Sequence, residues 1–294
     1  MANPAKPDRP SPRLYFLDPH SRDRLLVTGQ QGKTEISLDL WQTTVTVVRK
    51  GDWFALPDGS GFPLPGAELL KASDQRSILV WRDGAWEKWQ YTHPESGRLY
   101  KPVFVGAGKP PTVELSGIKM HITENGDPLQ DTRHKLKALG PVRGRVLDLC
   151  TGLGYTAIAL ARRSGVKWVL TVEFDSVMLQ LCRENPWSRP LFTLPNLSLL
   201  QMDAARLVQL CPEASFQGIL HDPPRFSLAP QLYSQEFYQH CYRILRTGGR
   251  LYHYTGSPGR LRGRDLPGRT AARLKQVGFS RVHRCYQGVC ARKG

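Results

Sequence analysis

The chain has 294 residues, of which 40% are hydrophobic, and 41 Lys and Arg outweigh 25 Asp and Glu for a net charge of +16. That length suggests two domains and buries enough surface to need no disulfide or metal staple. No apolar run approaches the roughly 20 residues a membrane span needs, and "MANPAKPDRPSPR" at the start has no apolar signal core, so a cytoplasmic protein with no membrane partner is the expectation.

Residues 1 to 13 are Pro-rich and polar and are expected to form a disordered tail. Residues 14–110 read as a small β-rich domain: "RLLVTG", "TEISLDL", "TTVTVVRKGDWFALPDG", "SILVWRDGAWEKWQYT" and "RLYKPVFVG" are short β-like runs, with one helix around "PGAELLKASDQ". Asp83-Gly84 between two alternating runs signals a two-residue hairpin turn. Trp81, Trp86, Trp89 and Tyr91 could either stack on unpaired bases or fill a small core. "GAGKPPTVELSG" marks the seam, with a new strand from Thr112 opening a second domain over residues 111–294.

After Gly140 apolar strands alternate with helical stretches, from "RVLDLC" and "YTAIALARRSG" through "FQGILHD" and "QEFYQHCYRILRTGG" to a closing hairpin split near Gly288. The expected fold class is α/β, a mostly parallel sheet with helices on both faces. Cys150, Cys182, Cys211, Cys241, Cys285 and Cys290 stand singly, with no CxxC pair or Cys/His cluster, so reduced core thiols and no metal are expected. From Arg243 to Lys293 thirteen Lys and Arg face the single acid Asp265. Such asymmetry is the footprint of a polyanionic partner such as RNA, or else a solvated basic surface.

"VLDLCTGLGYTAIALA", Val146 to Ala161, is an apolar strand, a Gly-containing turn and a helix. Gly152 and Gly154 let the backbone approach a ligand. Glu173 ends the next strand where a carboxylate can bond ribose hydroxyls, Asp203 ends the third and Asp222 the fourth. Any one of these acids could be a helix cap or a solvated turn. With Asp148 they set four acids at successive strand ends, the edge where open α/β sheets bind ligands.

In these residues the sequence resembles the class I methyltransferases that use S-adenosylmethionine, over roughly Val146 to the C-terminus. The resemblance implies their Rossmann-like, seven-stranded, mostly parallel sheet. It also implies that Asp148 and the turn Thr151, Gly152, Leu153 and Gly154 hold the methionine part of the cofactor, with Glu173 on the ribose and Asp203 on the adenine. Tyr155, Phe174, Ala204 and Asp222 complete the implied cofactor set. Cys150 stands where that family has its first glycine, which suggests a slightly more open turn. Dinucleotide hydride chemistry fits less well, because the acids continue past the second strand. "SGIKMH", "CTGLGYTA", "HDPPRFS", "FYQHCYRILRTGGRLYHYTGSPG" and "GRDLPGR" further resemble predicted methyltransferases known mainly from archaeal genomes, over Thr112 to Gly294.

"ILHDPPRFS" carries the expected chemistry. Methyl transfer is an in-line displacement, so the protein must place an acceptor lone pair and exclude water. Asp222, Pro223 and Pro224 are the expected catalytic residues: the prolines lack amide protons, so carbonyl and carboxylate acceptors can point into a cleft. Amino-group methylases usually have an aromatic next, whereas here Arg225 follows and then Phe226, which leaves a ring nitrogen, a ring carbon or a nonplanar amine open. A C5-pyrimidine mechanism wants a nearby nucleophilic cysteine, and none follows until Cys241 in a helical stretch. His121, His221, Arg225, Phe226 and Tyr233 are the candidate substrate contacts, with Tyr254 weaker. His221 faces either the cleft or a structural hydrogen bond.

The rival reading is aminopropyl transfer. "LYSQEFYQHCYRILRTGGRLYHYTGSP" and "VELSGIKMHITENGD" after a β-rich domain also resemble spermidine synthases, although "DLCTGLG" has fewer glycines than theirs and the basic tail suits a polycation poorly. Protein or small-molecule methylation and a non-catalytic nucleic-acid binder are further alternatives. The reading that best unites charge and acids is a methyltransferase acting on a structured RNA, its first domain docking substrate or building a homodimer.

Overall fold

The computed structural model describes residues 14–121, 123–124, 126–256 and 265–294; the expected disordered tail, 1–13, lies outside the described residues. The chain divides into two compact units, Met1–Met120 and His121–Gly294.

The first unit is β-rich. Its strands form a three-stranded sheet and two four-stranded sheets. Leu79–Arg82 and Ala85–Lys88 make the expected hairpin, with Asp83 and Gly84 both at positive φ, 51° and 83°. The helix expected near "PGAELLKASDQ" spans Ala67–Lys71. A second helix, Pro19–Val27, replaces the β-like reading of "RLLVTG". Its start explains the difference: Asp18 accepts from the amides of His20 and Ser21, and Pro19 sits in the first turn, where its missing N–H costs nothing.

The tryptophans pack inward. Trp89 is buried with its ring 4.7 Å from Phe16, and Trp86 donates its indole N–H to the Pro63 carbonyl. Trp81 and Trp86 lie against the core of Leu17, Leu25, Phe54 and Phe62, and Tyr91 is engaged by the Arg82 guanidinium. Of the two readings, core packing is the one found. The seam falls after Met120 rather than at 110/111, because Thr112–Leu115 pairs with Leu99–Val103 and so completes a sheet of the first unit.

The second unit runs α1 (Pro128–Leu139), β1 (Gly144–Leu149), α2 (Tyr155–Ala161), β2 (Val166–Glu173), α3 (Ser176–Glu184), α4 (Pro190–Thr193), β3 (Leu197–Gln201), α5 (Ala204–Leu210), β4 (Phe216–His221), α6 (Gln235–Ile244), β5 (Leu245–Tyr254), α7 (Leu266–Val277), β6 (Phe279–Cys285) and β7 (Gly288–Lys293). Its sheet has seven strands in the order β3-β2-β1-β4-β5-β7-β6. All pairings are parallel except those of β7, which runs antiparallel to β5 and β6. The α/β fold class with a Rossmann-like methyltransferase sheet is therefore the observed one.

The helices separate into two layers, α1 against α2 and, in the other, α6 against both α5 and α7. A hydrophobic core lies on the second side, where Leu207, Val208, Phe237, Tyr238, Cys241 and Leu274 cover the sheet residues Leu147, Ile219 and Leu251. Strand order reverses between β1 and β4, and the carboxyl ends of both strands open at that switch point, the usual ligand edge of such sheets.

The closing hairpin lies where Gly288 suggested. A Cβ there would meet the His253 carbonyl at 2.1 Å, so only glycine lets β7 approach β5 so closely. One expectation is overturned: Cys285 and Cys290 form a disulfide. They sit near the turn of an antiparallel pair with Cα atoms 6.1 Å apart, within bridging reach, which their isolated positions in the sequence did not signal. Cys182, Cys211 and Cys241 are buried thiols and Cys150 is half-buried. Among the described residues no helix is long and apolar enough to cross a membrane, and no group of three or more His, Cys, Asp and Glu could hold a metal ion.

Candidate active site

Parallel register builds the site. Asp148 pairs with Thr171 across β1 and β2, so the Thr171 hydroxyl donates to Asp148 Oδ2 at 2.6 Å and lies 2.6 Å from the Thr151 hydroxyl. Asp148 is completely buried, and its Oδ1 meets no hydrogen-bond partner of good geometry among the described residues. Burial pushes this carboxyl up to about 7, against the pull of the Thr171 and Thr156 hydroxyls and with added repulsion from Asp222.

The turn after β1 takes left-handed conformations at Cys150, Gly152 and Gly154, with φ of 69°, 54° and 80°. Cys150 adopts the conformation a glycine would favour, at a cost of roughly 1–2 kcal/mol, instead of opening the turn. Gly154 cannot be replaced without movement, since a Cβ there would stand 2.3 Å from Leu191 Cδ1. The turn is held from behind: Cys182 Sγ donates to the Gly152 carbonyl and the Ser188 hydroxyl to that of Leu153. In front, Gly152 N donates to Glu173 Oε2 at 2.9 Å. Glu173 Oε1 accepts from Phe174 N and Asp175 N, so the carboxylate braces the turns after both strands. Burial raises the Glu173 carboxyl, and these amides work against the rise.

Phe174 leaves 72% of its surface exposed beside Glu173. Asp203 caps α5 by accepting from Arg206 N, with Ala204 buried behind it, so at this acid the helix-cap alternative is realised at the ligand edge. Tyr155 is also buried, and its hydroxyl oxygen accepts from Asn185 Nδ2 at 3.0 Å.

Asp222 continues β4, its amide donating to the Leu149 carbonyl. Its side chain, 21% exposed, accepts a bond from Lys135 Nζ at 2.5 Å. Lys135 is 1% exposed and also meets Asp131 Oδ2 at 2.7 Å, while Asp131 Oδ1 accepts from the Tyr286 hydroxyl at 2.9 Å. The Tyr254 ring closes another side, its centroid 4.6 Å from Nζ. Burial alone would lower the Lys135 ammonium, but the carboxylates of Asp222 and Asp131 outweigh it and raise it above an ordinary lysine. Burial likewise pushes the Asp222 carboxyl up, with Lys135 opposing.

Sequence reading missed Lys135, Tyr286 and the place of Asp131 in this cluster. The available signal was Asp131 and Lys135 at i, i+4 in "PLQDTRHKLKAL", with Lys135 among the positions that carry the buried Thr132, Leu136 and Leu139.

The candidate substrate residues divide. His121 comes to the site, its ring 5.4 Å from Tyr155, and is held neutral with its pKa near 3 by burial and then by the Lys135 charge. Arg225 is exposed and Phe226 is 43% exposed on the loop after the prolines. His221 is a correction: it is completely buried, bonds the Leu232 carbonyl and packs on Phe237 of α6 and His253. Successive strand residues point to opposite faces, so His221 turns to the α6 layer while Asp222 meets α1. Tyr233 is a second correction. Its ring is buried and its hydroxyl donates to the Pro224 carbonyl at 2.8 Å, which shapes the loop instead of meeting an acceptor. No cysteine here is a ready nucleophile. Cys241 is buried in α6, and burial together with the charges of Glu173, Asp222, Asp148 and Asp203 holds the Cys150 thiol protonated.

Residues 146–249 match the family model described as a methyltransferase domain. Over 272 residues the chain is 44% identical to the uncharacterized protein MJ1233 of Methanocaldococcus jannaschii, covering 90% of each. The chain belongs to this family. It also matches polyamine aminopropyltransferase 2 of Streptomyces coelicolor, at 31% identity over 125 residues that are 40% of this chain and 23% of that one. A spermidine synthase solved with the transition state analogue AdoDATO shares the fold, with a TM-score of 0.59, 19% identity and coverage of 72% and 76%. This family member is therefore an enzyme with a class I methyltransferase domain on a spermidine synthase-like fold, and its cofactor is S-adenosylmethionine.

The residues at the switch point fit that cofactor. Asp148 offers a buried carboxylate whose Oδ1 meets no hydrogen-bond partner of good geometry among the described residues, the turn beside it is kept free of a Cβ at Gly154, and Glu173 stands at the rim with an exposed aromatic next to it.

Proposed function

We propose that the protein methylates a nucleotide of a structured RNA, with Asp222 as the residue that orients the acceptor. What carries the reading is the Asp222 carboxylate, fixed at the switch point by Lys135 yet still partly exposed toward the ligand edge. Asp148 and the Thr151–Gly154 turn would hold the methionine part of S-adenosylmethionine, Glu173 and Phe174 the ribose, and Asp203 with Ala204 the adenine. Bound there, the cofactor supplies an electrophilic methyl group on a sulfonium. Asp222 accepts a hydrogen from the acceptor and so turns its lone pair toward the incoming carbon. Pro223 and Pro224 keep amide donors out of the loop, and Tyr233 fixes that loop through the Pro224 carbonyl.

The net charge of +16 and the exposed Arg269, Lys275 and Arg281 support a polyanionic substrate. Part of the basic tail is structural: Arg243, Arg246, Arg273, Arg292 and Lys293 bond main-chain carbonyls, and Arg284 pairs with Asp265. Arg260, Arg262 and Arg264 lie outside the described residues.

The deciding experiment gives the purified protein methyl-labelled S-adenosylmethionine and an extract of cells lacking the gene. Label that disappears with ribonuclease is the expected result; label in protein or metabolites discards RNA. The second reading, aminopropyl transfer, has the matched aminopropyltransferases on its side. It expects no methyl label anywhere and turnover with the decarboxylated cofactor.

Asp148 makes cofactor affinity depend on pH. An Asp carboxyl with a folded pKa of about 7 binds its proton more tightly than the unfolded chain does. The apo-protein therefore loses stability from this group as pH rises from about 4 to about 7. A cationic methionine part prefers the ionised form, so affinity should climb about tenfold per pH unit below 7 and level off above it. Calorimetry across pH 5 to 9 reads this, and a flat profile would remove Asp148 from the cofactor set; Asp148→Asn should abolish the slope.

A further inference from the structure

We infer that Lys135 is a built-in ammonium that fills the dicarboxylate site between Asp131 and Asp222, and so restricts the acceptor to one that brings no aliphatic cation. Two carboxylates and the face of an aromatic ring are what a protein uses to bind an ammonium group. Here all three converge on one Nζ, at 2.5 Å from Asp222 Oδ2, 2.7 Å from Asp131 Oδ2 and 4.6 Å from the Tyr254 centroid. Asp131 Oδ1 accepts from the Tyr286 hydroxyl, and Oδ2 stands in the ion pair with Lys135. One oxygen of Asp222 faces Lys135 as well, so Asp131 and Asp222 are not an open pair that could chelate an incoming amine.

Lys135 cannot leave this place cheaply. It is 1% exposed, and withdrawing it would leave two carboxylates side by side, Asp131 itself 2% exposed. His121, Tyr254 and Tyr286 carry no positive charge that could replace it, and the Arg225 guanidinium, which acts on Tyr254, is exposed on the loop after the prolines. Lys135 is thus a positioning residue: it holds the rotamer of Asp222 and opposes the upward push of burial on its carboxyl. The acceptor that fits beside it is a neutral hydrogen donor, such as a ring N–H, an amide or an exocyclic amine, and an aliphatic polyamine does not fit. This goes beyond the RNA reading, because it concerns the charge of the acceptor whatever molecule carries it.

The test titrates wild type and Lys135→Ala with 1,4-diaminobutane and with butylamine, following binding by calorimetry and Tm by thermal unfolding. Wild type should neither bind the amines at millimolar concentration nor change its Tm. Lys135→Ala should unfold at lower temperature and regain several degrees with either amine, but not with tetramethylammonium, which cannot donate to the carboxylates. Binding of the diamine to wild type would overturn the inference. So would a folded Lys135→Ala whose Tm ignores both amines. Should the variant not fold alone, refolding with butylamine against refolding with tetramethylammonium reads the same point, equal yields counting against the inference. None of these readouts needs turnover, so a failure of RNA methylation and a failure here are separate results.

Discussion

Asp222→Asn is expected to lower methyl transfer by about 10³-fold while the affinity for S-adenosylmethionine stays within about threefold of wild type. Asparagine keeps the shape of the side chain but offers one carbonyl oxygen in place of a carboxylate, so the hydrogen taken from the acceptor meets a much weaker base. The variant should also be less stable, since Lys135 then keeps only Asp131 as an anionic partner. Breaking a fully buried pair costs about 3–5 kcal/mol. The loss here should be smaller, because the Asp222 side chain is 21% exposed and Asp131 remains in place. Single-turnover kinetics with calorimetry separates the two effects. Undiminished turnover would remove Asp222 from the mechanism, and lost cofactor binding would move it into the cofactor set.

The second large effect is expected at Glu173. Glu173→Ala should weaken S-adenosylmethionine binding by about 10²-fold, the sum of a lost charge-assisted bond to the ribose and a loosened glycine turn. Both contributions have one structural origin: the carboxylate accepts from Gly152 N on one side and from Phe174 N and Asp175 N on the other. Glu173→Gln keeps a single acceptor oxygen and should lose about tenfold. Calorimetry with the cofactor alone decides, and an affinity equal to wild type in the alanine variant would sink the ribose assignment.

Much of the second unit is legible in its sequence because each signal is local. Val146 to Glu173 reads as strand, glycine turn, helix and strand, and the acids at the strand ends follow from that alternation. The Asp83-Gly84 hairpin and the closing hairpin at Gly288 are local in the same way. The failures come where a long-range neighbour decides. Lys135 looks like a solvated helix cation until Asp222 arrives from a strand 87 residues later. His221 and Asp222 are adjacent in the chain yet serve opposite faces, and only the contacts with α6 and α1 say which is which. Tyr233 reads as a cleft residue but is buried under the proline loop. The strand from Thr112 was expected to open the second domain and instead pairs backward with Leu99–Val103. Cys285 and Cys290 are joined only because β6 and β7 fold back on each other.

The position of β7 has a consequence for how the enzyme is made. It is made after β5 and β6, yet it lies inside the sheet between them. Until it inserts, the ten-residue strand β5 presents an unpaired edge, a template for pairing with other nascent chains. The Tyr286 hydroxyl, 155 residues after the Asp131 carboxylate it bonds, arrives with the same hairpin. Completion of the charged cluster and protection of the edge therefore await the same hairpin, and a chain that stalls before it lacks both.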